Sequence, residues 1–142
     1  MNLSPHFTLE ELTHTDHREF DNTPDDDAKV NLYRLALFLE QVKEVLQFKP
    51  IMINSAYRSK AVNDAVGSRD TSQHRQGCAA DFRVPGMTPD QVVRAILASR
   101  LDYDQLIREF DAWTHVSIPN KPEMAPRKMA LIIDRTGTRR FI

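Results

Sequence analysis

Apolar residues recur with helical spacing in one long segment near the start of the chain, TPDDDAKVNLYRLALFLEQVKEVLQF. The repeating positions are Leu32, Leu35, Leu39, Val42 and Leu46. Intervals of three and four residues indicate one buried face of an amphipathic helix. We expect Thr23 to cap this helix and Pro24 to be its first residue, because the fixed φ of proline suits that position.

Shorter patterns predict the rest of the fold. We predict helices at FTLEEL, SKAVNDAVG and TPDQVVRAILAS, and strands at IMINSA, CAADFRV, YDQLIREF and WTHVSI. SRDTSQHRQG and PNKPEMAP are expected to be loops, and KMALIIDRTGTRRFI a hairpin with its turn at Thr136-Gly137. Because helices precede neighbouring strands, this order predicts an α+β fold with helices packed on a mainly antiparallel sheet.

Composition narrows the class of protein. The 142 residues fit a single domain, 1–142, and we expect a monomer. The net charge of −1 argues against nucleic acid, and no apolar run approaches the roughly 20 residues that cross a bilayer. The lone cysteine, Cys78, cannot form an internal disulfide. The N-terminus has no basic region followed by an apolar one, so we predict no secretory signal there.

The candidate chemistry lies in the stretch SQHRQGCAADF and in the predicted strand WTHVSI. Two imidazoles and a carboxylate are a common ligand set for catalytic zinc, which makes His74, Asp81 and His115 candidates. Spacing alone leaves a metal-free alternative open, in which the Asp81 carboxylate pairs with Arg58 or Arg83. The other histidines are expected to be solvated loop residues: His6, His14 and His17.

Three segments together resemble the zinc-dependent murein peptidases. SQHRQGCAAD matches the pattern Ser-x-His-x-x-Gly-x-Ala-x-Asp of that family at every fixed position. INSAYRSKAVNDAVG resembles the upstream SGYRS segment, with Ala56 where glycine is usual, and WTHVSI resembles the closing HVS strand. FTLEEL resembles the start of the short phage and bacterial branch. The family includes D-alanyl-D-alanine carboxypeptidases and the L-alanyl-D-glutamate endopeptidases of phage endolysins, and it shares the hedgehog-type fold.

The resemblance implies a role for individual residues. It implies that His74, Asp81 and His115 bind Zn²⁺ and that Arg58 holds a carboxylate or carbonyl of the substrate, which suits a planar guanidinium. Ser72 is implied to hydrogen-bond the substrate or to position the loop of His74; an ordinary turn serine is the alternative.

The general base departs from the family pattern. Many members carry an acid three residues before the last histidine, where this chain has Ala112. A hairpin with a three-residue turn at Asp111–Trp113 would place Glu109 opposite His115, whereas a two-residue turn would turn Glu109 away. The hedgehog-like branch has a glutamate at this position. We therefore predict Glu109 as the catalytic base, with Asp111 as the second candidate.

The implied function is hydrolysis of an amide bond in the peptide stem of peptidoglycan, by an endolysin-like endopeptidase or a D,D-carboxypeptidase. The resemblance, with no secretory signal predicted, favours cytoplasmic synthesis and action on the cell wall after release, as for a phage or prophage enzyme. The alternative is a non-catalytic zinc-containing binding module, or a phage structural module, of the same fold. It stays open because Ala112, which has no carboxylate, occupies the usual position of the base.

Overall fold

A computed structural model describes residues 1–141. The helices are α1 (Leu9–Leu12), α2 (Asp26–Val45), α3 (Lys60–Ala65), α4 (Gln73–Gln76) and α5 (Pro89–Leu97). The strands are β1 (Met52–Ser55), β2 (Ala79–Arg83), β3 (Gln105–Glu109), β4 (Trp113–Ser117), β5 (Met129–Asp134) and β6 (Gly137–Arg140). None of the helices in residues 1–141 has both the length and the hydropathy that crossing a bilayer requires.

The strands form one sheet in the order β1-β2-β4-β3-β5-β6. Every neighbouring pair is antiparallel except β3 and β5, which run parallel. The predicted α+β class and mainly antiparallel sheet are therefore confirmed. The parallel pair was not predicted, and it arises because the proline-rich connection 119–128 returns the chain to the end of the sheet where β3 starts.

The two sides of the sheet differ in chemistry because successive side chains of a strand point in opposite directions. One side, which we call the core face, contributes buried residues to the main apolar cluster: Ala80, Phe82, Leu106 and Val116. Helices α2 and α5 share that cluster, and all five apolar positions predicted for α2 are buried. The other side, which we call the polar face, carries Asp81 on β2 and His115 on β4.

Capping residues fix where the helices begin. Thr88 and Gln91 form a capping box at α5, with Pro89 as the first helical residue, as predicted. The prediction that Thr23 caps α2 is wrong. Asp25 is the cap, since its carboxylate accepts a hydrogen bond from the Ala28 amide at 2.8 Å, while Thr23 is held by the carboxylate of Asp21.

Two segments differ slightly from their predicted secondary structure. SRDTSQHRQG was expected to be a loop throughout, but its second half forms the short helix α4. In the last hairpin, Asp134 pairs with Gly137, so the turn lies at Arg135-Thr136, one residue earlier than predicted. Ile142, the final residue of the predicted hairpin, lies outside the described residues.

The register of the β3–β4 hairpin also differs from both predicted alternatives. Ile107 lies opposite His115, and Glu109 lies opposite Trp113. The turn has three residues, 110–112, and two of them have left-handed φ values, 54° at Phe110 and 50° at Asp111. The predicted pairing of Glu109 with His115 was wrong by two residues. A shift of two keeps a side chain on the same side of a strand, so Glu109 still lies on the polar face.

Candidate metal centre

Three buried side chains meet on the polar face: His74, Asp81 and His115. One potential ligand atom from each lies within 4.8 Å of the others. The Asp81 carboxylate is 3.3 Å from Nε2 of His74 and 2.8 Å from Nδ1 of His115. Two nitrogens and one oxygen therefore point to a common position.

Strand pairing and a short helix bring these residues together. Asp81 and His115 are direct partners in the β2–β4 ladder, so their side chains project side by side. His74 comes from α4, whose end is fixed by Gly77 in a left-handed conformation with a φ of 75°. A Cβ at Gly77 would lie 2.9 Å from the carbonyl oxygen of Ala28, so only glycine lets the chain pass under α2.

The segment 56–58 sets the orientation of His74. Nδ1 of His74 lies 2.7 Å from the carbonyl oxygen of Ala56, which can only accept, so Nδ1 carries the proton and donates it there. Nε2 is then the unprotonated nitrogen and faces Asp81. The backbone N–H of Arg58 in turn donates to the carbonyl of His74 at 3.0 Å. A carbonyl that orients a ligating imidazole through its other nitrogen is typical of metal sites.

Burial and charge set the protonation of the centre. Burial lowers the pKa of His74, which favours the neutral imidazole that a metal needs. Burial would raise the pKa of Asp81, but the two neighbouring imidazoles outweigh burial and hold that pKa well below its usual range. Burial would likewise lower the pKa of His115, but its hydrogen bond to Asp81 raises it. The hydrogen bond joins Nδ1 of His115 to Oδ1 of Asp81 at 2.8 Å.

Arg58 and Glu109 border the three residues. Nη2 of Arg58 is 3.7 Å from the Asp81 carboxylate, and its Nε donates to Oγ of Ser55 at 3.3 Å. Oε1 of Glu109 is 3.8 Å from Nδ1 of His115. Burial, and then the negative charge of Asp81, raise the pKa of Glu109, which makes its carboxylate a stronger base.

The other predicted residues occupy more distant positions. The carboxylate of Asp111 is exposed and forms an ion pair of 2.9 Å with Nε of Arg108, which projects from the core face. Oγ of Ser72 accepts a hydrogen bond from the backbone N–H of His74 at 3.2 Å, so it caps α4. The Cys78 thiol is buried, and burial raises its pKa to about 11, so it is not a thiolate near neutral pH.

The donor set fits zinc. Zinc bonds imidazole nitrogen and carboxylate oxygen at about 2.0–2.2 Å, so its tetrahedral ligand atoms lie about 3.4 Å apart. The separation of 3.3 Å between His74 and Asp81 agrees with that spacing, whereas the 2.8 Å between His115 and Asp81 is the length of a hydrogen bond. Three protein ligands leave a fourth position open, as catalytic zinc requires.

A protein-family model described as Peptidase M15 matches residues 5–117, which include all three residues of the centre. The chain belongs to the peptidase M15 family. This family includes the D-alanyl-D-alanine carboxypeptidases and endolysins, and its members are zinc-dependent, so the resemblance seen in the three motifs is confirmed. A search of the curated proteins found no match.

One hydrogen-bond network beside His74 was not predicted from the sequence. Gln73, next to His74, donates through Nε2 to the carboxylate of Asp104 at 3.1 Å and to the carbonyl of Ile118 at 2.9 Å. Asp104 is buried and also accepts from the backbone and guanidinium of Arg127. A glutamine beside the ligand in the motif is the only signal that could have pointed to this network.

Proposed function

We propose that the protein is a zinc metallopeptidase that hydrolyses an amide bond in the peptide stem of peptidoglycan. The observation that carries the proposal is the buried set His74, Asp81 and His115 with a second carboxylate, Glu109, on the same face of the sheet. A purely structural ion pair would need no second carboxylate at this place. Membership of the M15 family supports the peptidase chemistry, and the motif resemblance supports the murein substrate.

Each residue of the centre would have a separate role in hydrolysis. His74 through Nε2, Asp81 through a carboxylate oxygen and His115 through Nδ1 would hold the ion. Bound zinc would supply a Lewis acid that polarises the scissile carbonyl and acidifies water. Glu109 would accept the proton of the attacking water at Oε1 and pass it to the leaving nitrogen as the C–N bond breaks.

Arg58 would orient the substrate beside this centre. Its side chain is 15% exposed, so the guanidinium can reach a substrate while its stem stays packed. Ser72 supports the centre by capping α4, and a direct hydrogen bond to the substrate is proposed from the resemblance alone. The hedgehog-type fold, a single domain over 1–142, the monomeric state, and action on the cell wall after phage-type release are likewise proposed from resemblance and composition.

Digestion of purified peptidoglycan tests the proposal. Protein loaded with one equivalent of Zn²⁺ should release stem-peptide fragments, and mass spectrometry should identify the new amine and carboxylate ends. Protein that holds zinc and releases no fragment from peptidoglycan or from soluble stem peptides would refute the peptidase function.

A second function rests on the position of Ala112. This residue stands where many relatives carry an acid, and it lines a cavity with Phe82 and Thr114, whose side chains lie on the core face. A zinc-containing binding module or phage structural module would explain the missing carboxylate. Tight binding of stem peptides by zinc-loaded protein, without cleavage, would favour this alternative.

A further inference from the structure

Trp113 and Glu109 lie side by side at the hairpin end of the polar face. They are direct partners in the antiparallel β3–β4 ladder, so their Cβ atoms are about 5 Å apart on the same side of the sheet. His115 follows Trp113 by two positions in β4 and therefore projects to that side as well. The indole of Trp113 is thus a neighbour of the candidate base.

The indole N–H of Trp113 is buried without a partner. Its Nε1 atom is out of contact with solvent, and no acceptor in residues 1–141 meets the geometry of a hydrogen bond with it. A buried donor that has lost its water and gained no protein acceptor is costly, so such a group calls for an explanation. This donor is available to an acceptor that lies close by.

The carboxylate of Glu109 is that neighbouring acceptor. Its side chain is 18% exposed, and its Oε1 lies 3.8 Å from Nδ1 of His115, which is beyond hydrogen-bond distance. Burial, and then the charge of Asp81, raise the pKa of Glu109. The charges of His115 and Arg58 oppose this rise, and so does the indole N–H of Trp113. A donor that favours the charged form of a carboxylate faces one of its oxygens.

The turn 110–112 packs a second aromatic ring against the indole. Phe110 has a φ of 54°, a left-handed conformation that is uncommon for a bulky residue. Its backbone N–H donates to the carbonyl of Ile133 at 2.8 Å, which ties the turn to β5. The ring of Phe110 then lies 5.9 Å from that of Trp113, with 45° between the ring planes. This contact restricts the rotation of the indole beside Glu109.

We propose that Trp113 is a positioning residue, whose indole N–H donates to the Glu109 carboxylate and holds it in the orientation that accepts a proton from water. This inference deepens the proposed function and rests on it. A glutamate side chain has three rotatable bonds, so one fixed donor removes much of its freedom. An indole N–H donates and cannot accept, so it leaves the other carboxylate oxygen free to act as the base.

Replacing the N–H alone tests this role. Trp113 is the only tryptophan of the chain, so an analogue supplied to a tryptophan auxotroph enters at this position alone. The benzothienyl analogue has sulfur in place of the N–H and nearly the same shape. In zinc-loaded protein it should lower kcat on a synthetic stem pentapeptide about tenfold, as expected for the loss of one charge-assisted hydrogen bond. KM and the zinc content should not change.

Fluorotryptophan is the matched control, because it is also an unnatural residue but retains the N–H. Protein that contains it should keep a kcat close to that of the natural protein. An unchanged kcat with the benzothienyl analogue, or an equal loss with both analogues, would overturn the proposal.

A double replacement distinguishes positioning of the base from general support of the fold. In Glu109→Gln the base is absent, so the benzothienyl analogue should cause no further loss of kcat in that variant. Single-turnover kinetics, with metal content measured in parallel, checks this. The same fractional loss with and without Glu109 would mean that Trp113 acts independently of the base, and would overturn the proposal.

Nuclear magnetic resonance of the indole N–H separates failure of this contact from failure of the peptidase, because it needs no cleavage. The single indole proton resonance should move upfield in Glu109→Gln, since a neutral amide oxygen is a weaker acceptor than a carboxylate. Asp111→Asn, the matched change at an exposed carboxylate of the same turn, should leave the resonance in place. The same resonance position in wild type and Glu109→Gln would overturn the proposal. An upfield move in a protein that cleaves no stem peptide would reject the peptidase function and uphold the hydrogen bond to Glu109.

Discussion

Charged residues lie in opposite environments in two regions of the sheet. One region is the pair of strands β2 and β4, and the other is the hairpin of β5 and β6. Asp81 on β2 is 10% exposed, between two imidazoles and a guanidinium. Asp134 on β5 is 29% exposed and is paired with the exposed Arg139 across the hairpin. Every residue of β6 is exposed, whereas four of the five residues of β2 are buried.

This difference distinguishes a buried carboxylate suited to chemistry, Asp81, from a carboxylate in a surface ion pair, Asp134. Burying a carboxylate is costly unless cations or donors compensate it, so the polar face of β2 and β4 maintains an arrangement that a stable fold alone would not need. The hairpin lies beyond the matched residues 5–117, and its β5 pairs with the free edge of β3. It therefore protects an edge strand and contributes none of the proposed site residues.

The largest contrast is expected from removing one aspartate in each region. Asp81→Asn should weaken zinc binding by more than about 100-fold, since even partners outside the ligand set are worth about 10–100-fold. Peptidase activity should fall with it. Asp134→Asn, the matched change in the hairpin, should leave the zinc affinity and kcat/KM unchanged. Chelator competition measures the affinity, and circular dichroism checks that both variants fold.

A zinc affinity of Asp81→Asn equal to that of the wild type would contradict the ligand assignment. His74→Ala tests the same assignment, because it removes the imidazole that the Ala56 carbonyl orients through Nδ1. Retention of tight zinc binding in both variants would place the metal elsewhere.

The next contrast compares the two candidate bases. Glu109→Gln should lower kcat by about 10²–10⁴-fold while zinc remains bound, because a positioned general base contributes roughly that factor. Asp111→Asn should change kcat by less than about twofold, since its carboxylate is exposed and paired with Arg108. Single-turnover kinetics on a stem peptide, with metal content measured in parallel, checks both. Equal kcat values for wild type and Glu109→Gln would remove Glu109 from the mechanism.

The candidate metal set was predictable because its determinants are local. Gly77 and the small residues from Cys78 to Ala80 specify how the chain passes from α4 into β2. The order of the three motifs along the chain then indicated that His115 belongs to the same set. The side of the sheet on which Glu109 lies was predicted correctly, but from the wrong register of the β3–β4 hairpin. The turn 110–112 uses left-handed conformations at Phe110 and Asp111. Aspartate is a common turn residue, but phenylalanine is not, so the turn starts one residue earlier than predicted.

The parallel pairing of β3 and β5 was unpredictable for a different reason. It depends on tertiary contacts across the connection 119–128 rather than on periodicity. Asp104, just before β3, accepts hydrogen bonds from Arg127, just before β5, and the backbone N–H of Met129 donates to the carbonyl of Asp104. Only the folded chain brings these residues together.

A smaller effect is expected where the two regions join. Asp104→Asn should lower the free energy of unfolding by about 1–3 kcal/mol near pH 7, because the buried acceptor of Arg127 and Gln73 loses its charge. Burial would raise the pKa of Asp104, but the hydrogen bonds from Arg127 outweigh it and lower that pKa. The contribution is therefore complete above the unfolded pKa of about 3.9 and disappears as pH falls through the lower folded value.

Urea unfolding of wild type and Asp104→Asn from pH 3 to pH 8 measures this difference. The gap between the two proteins should stay constant from pH 5 to pH 8 and shrink below about pH 4. A gap that grew on acidification would mean that the pKa of Asp104 is raised in the folded protein.

The smallest effect is expected at the tip of the hairpin, from Gly137→Ala. Gly137 has a φ of 112° and open space around it, so an added methyl group strains the backbone without a clash. Strain of this kind costs about 1 kcal/mol, and hydrogen exchange should locate it in β6. Gly86→Ala, with a φ of 86° and the same open space, is the matched change in the loop between β2 and α5. Because the hairpin contributes no ligand, zinc affinity in Gly137→Ala should equal that of the wild type; a loss there would make the hairpin part of the support for the centre.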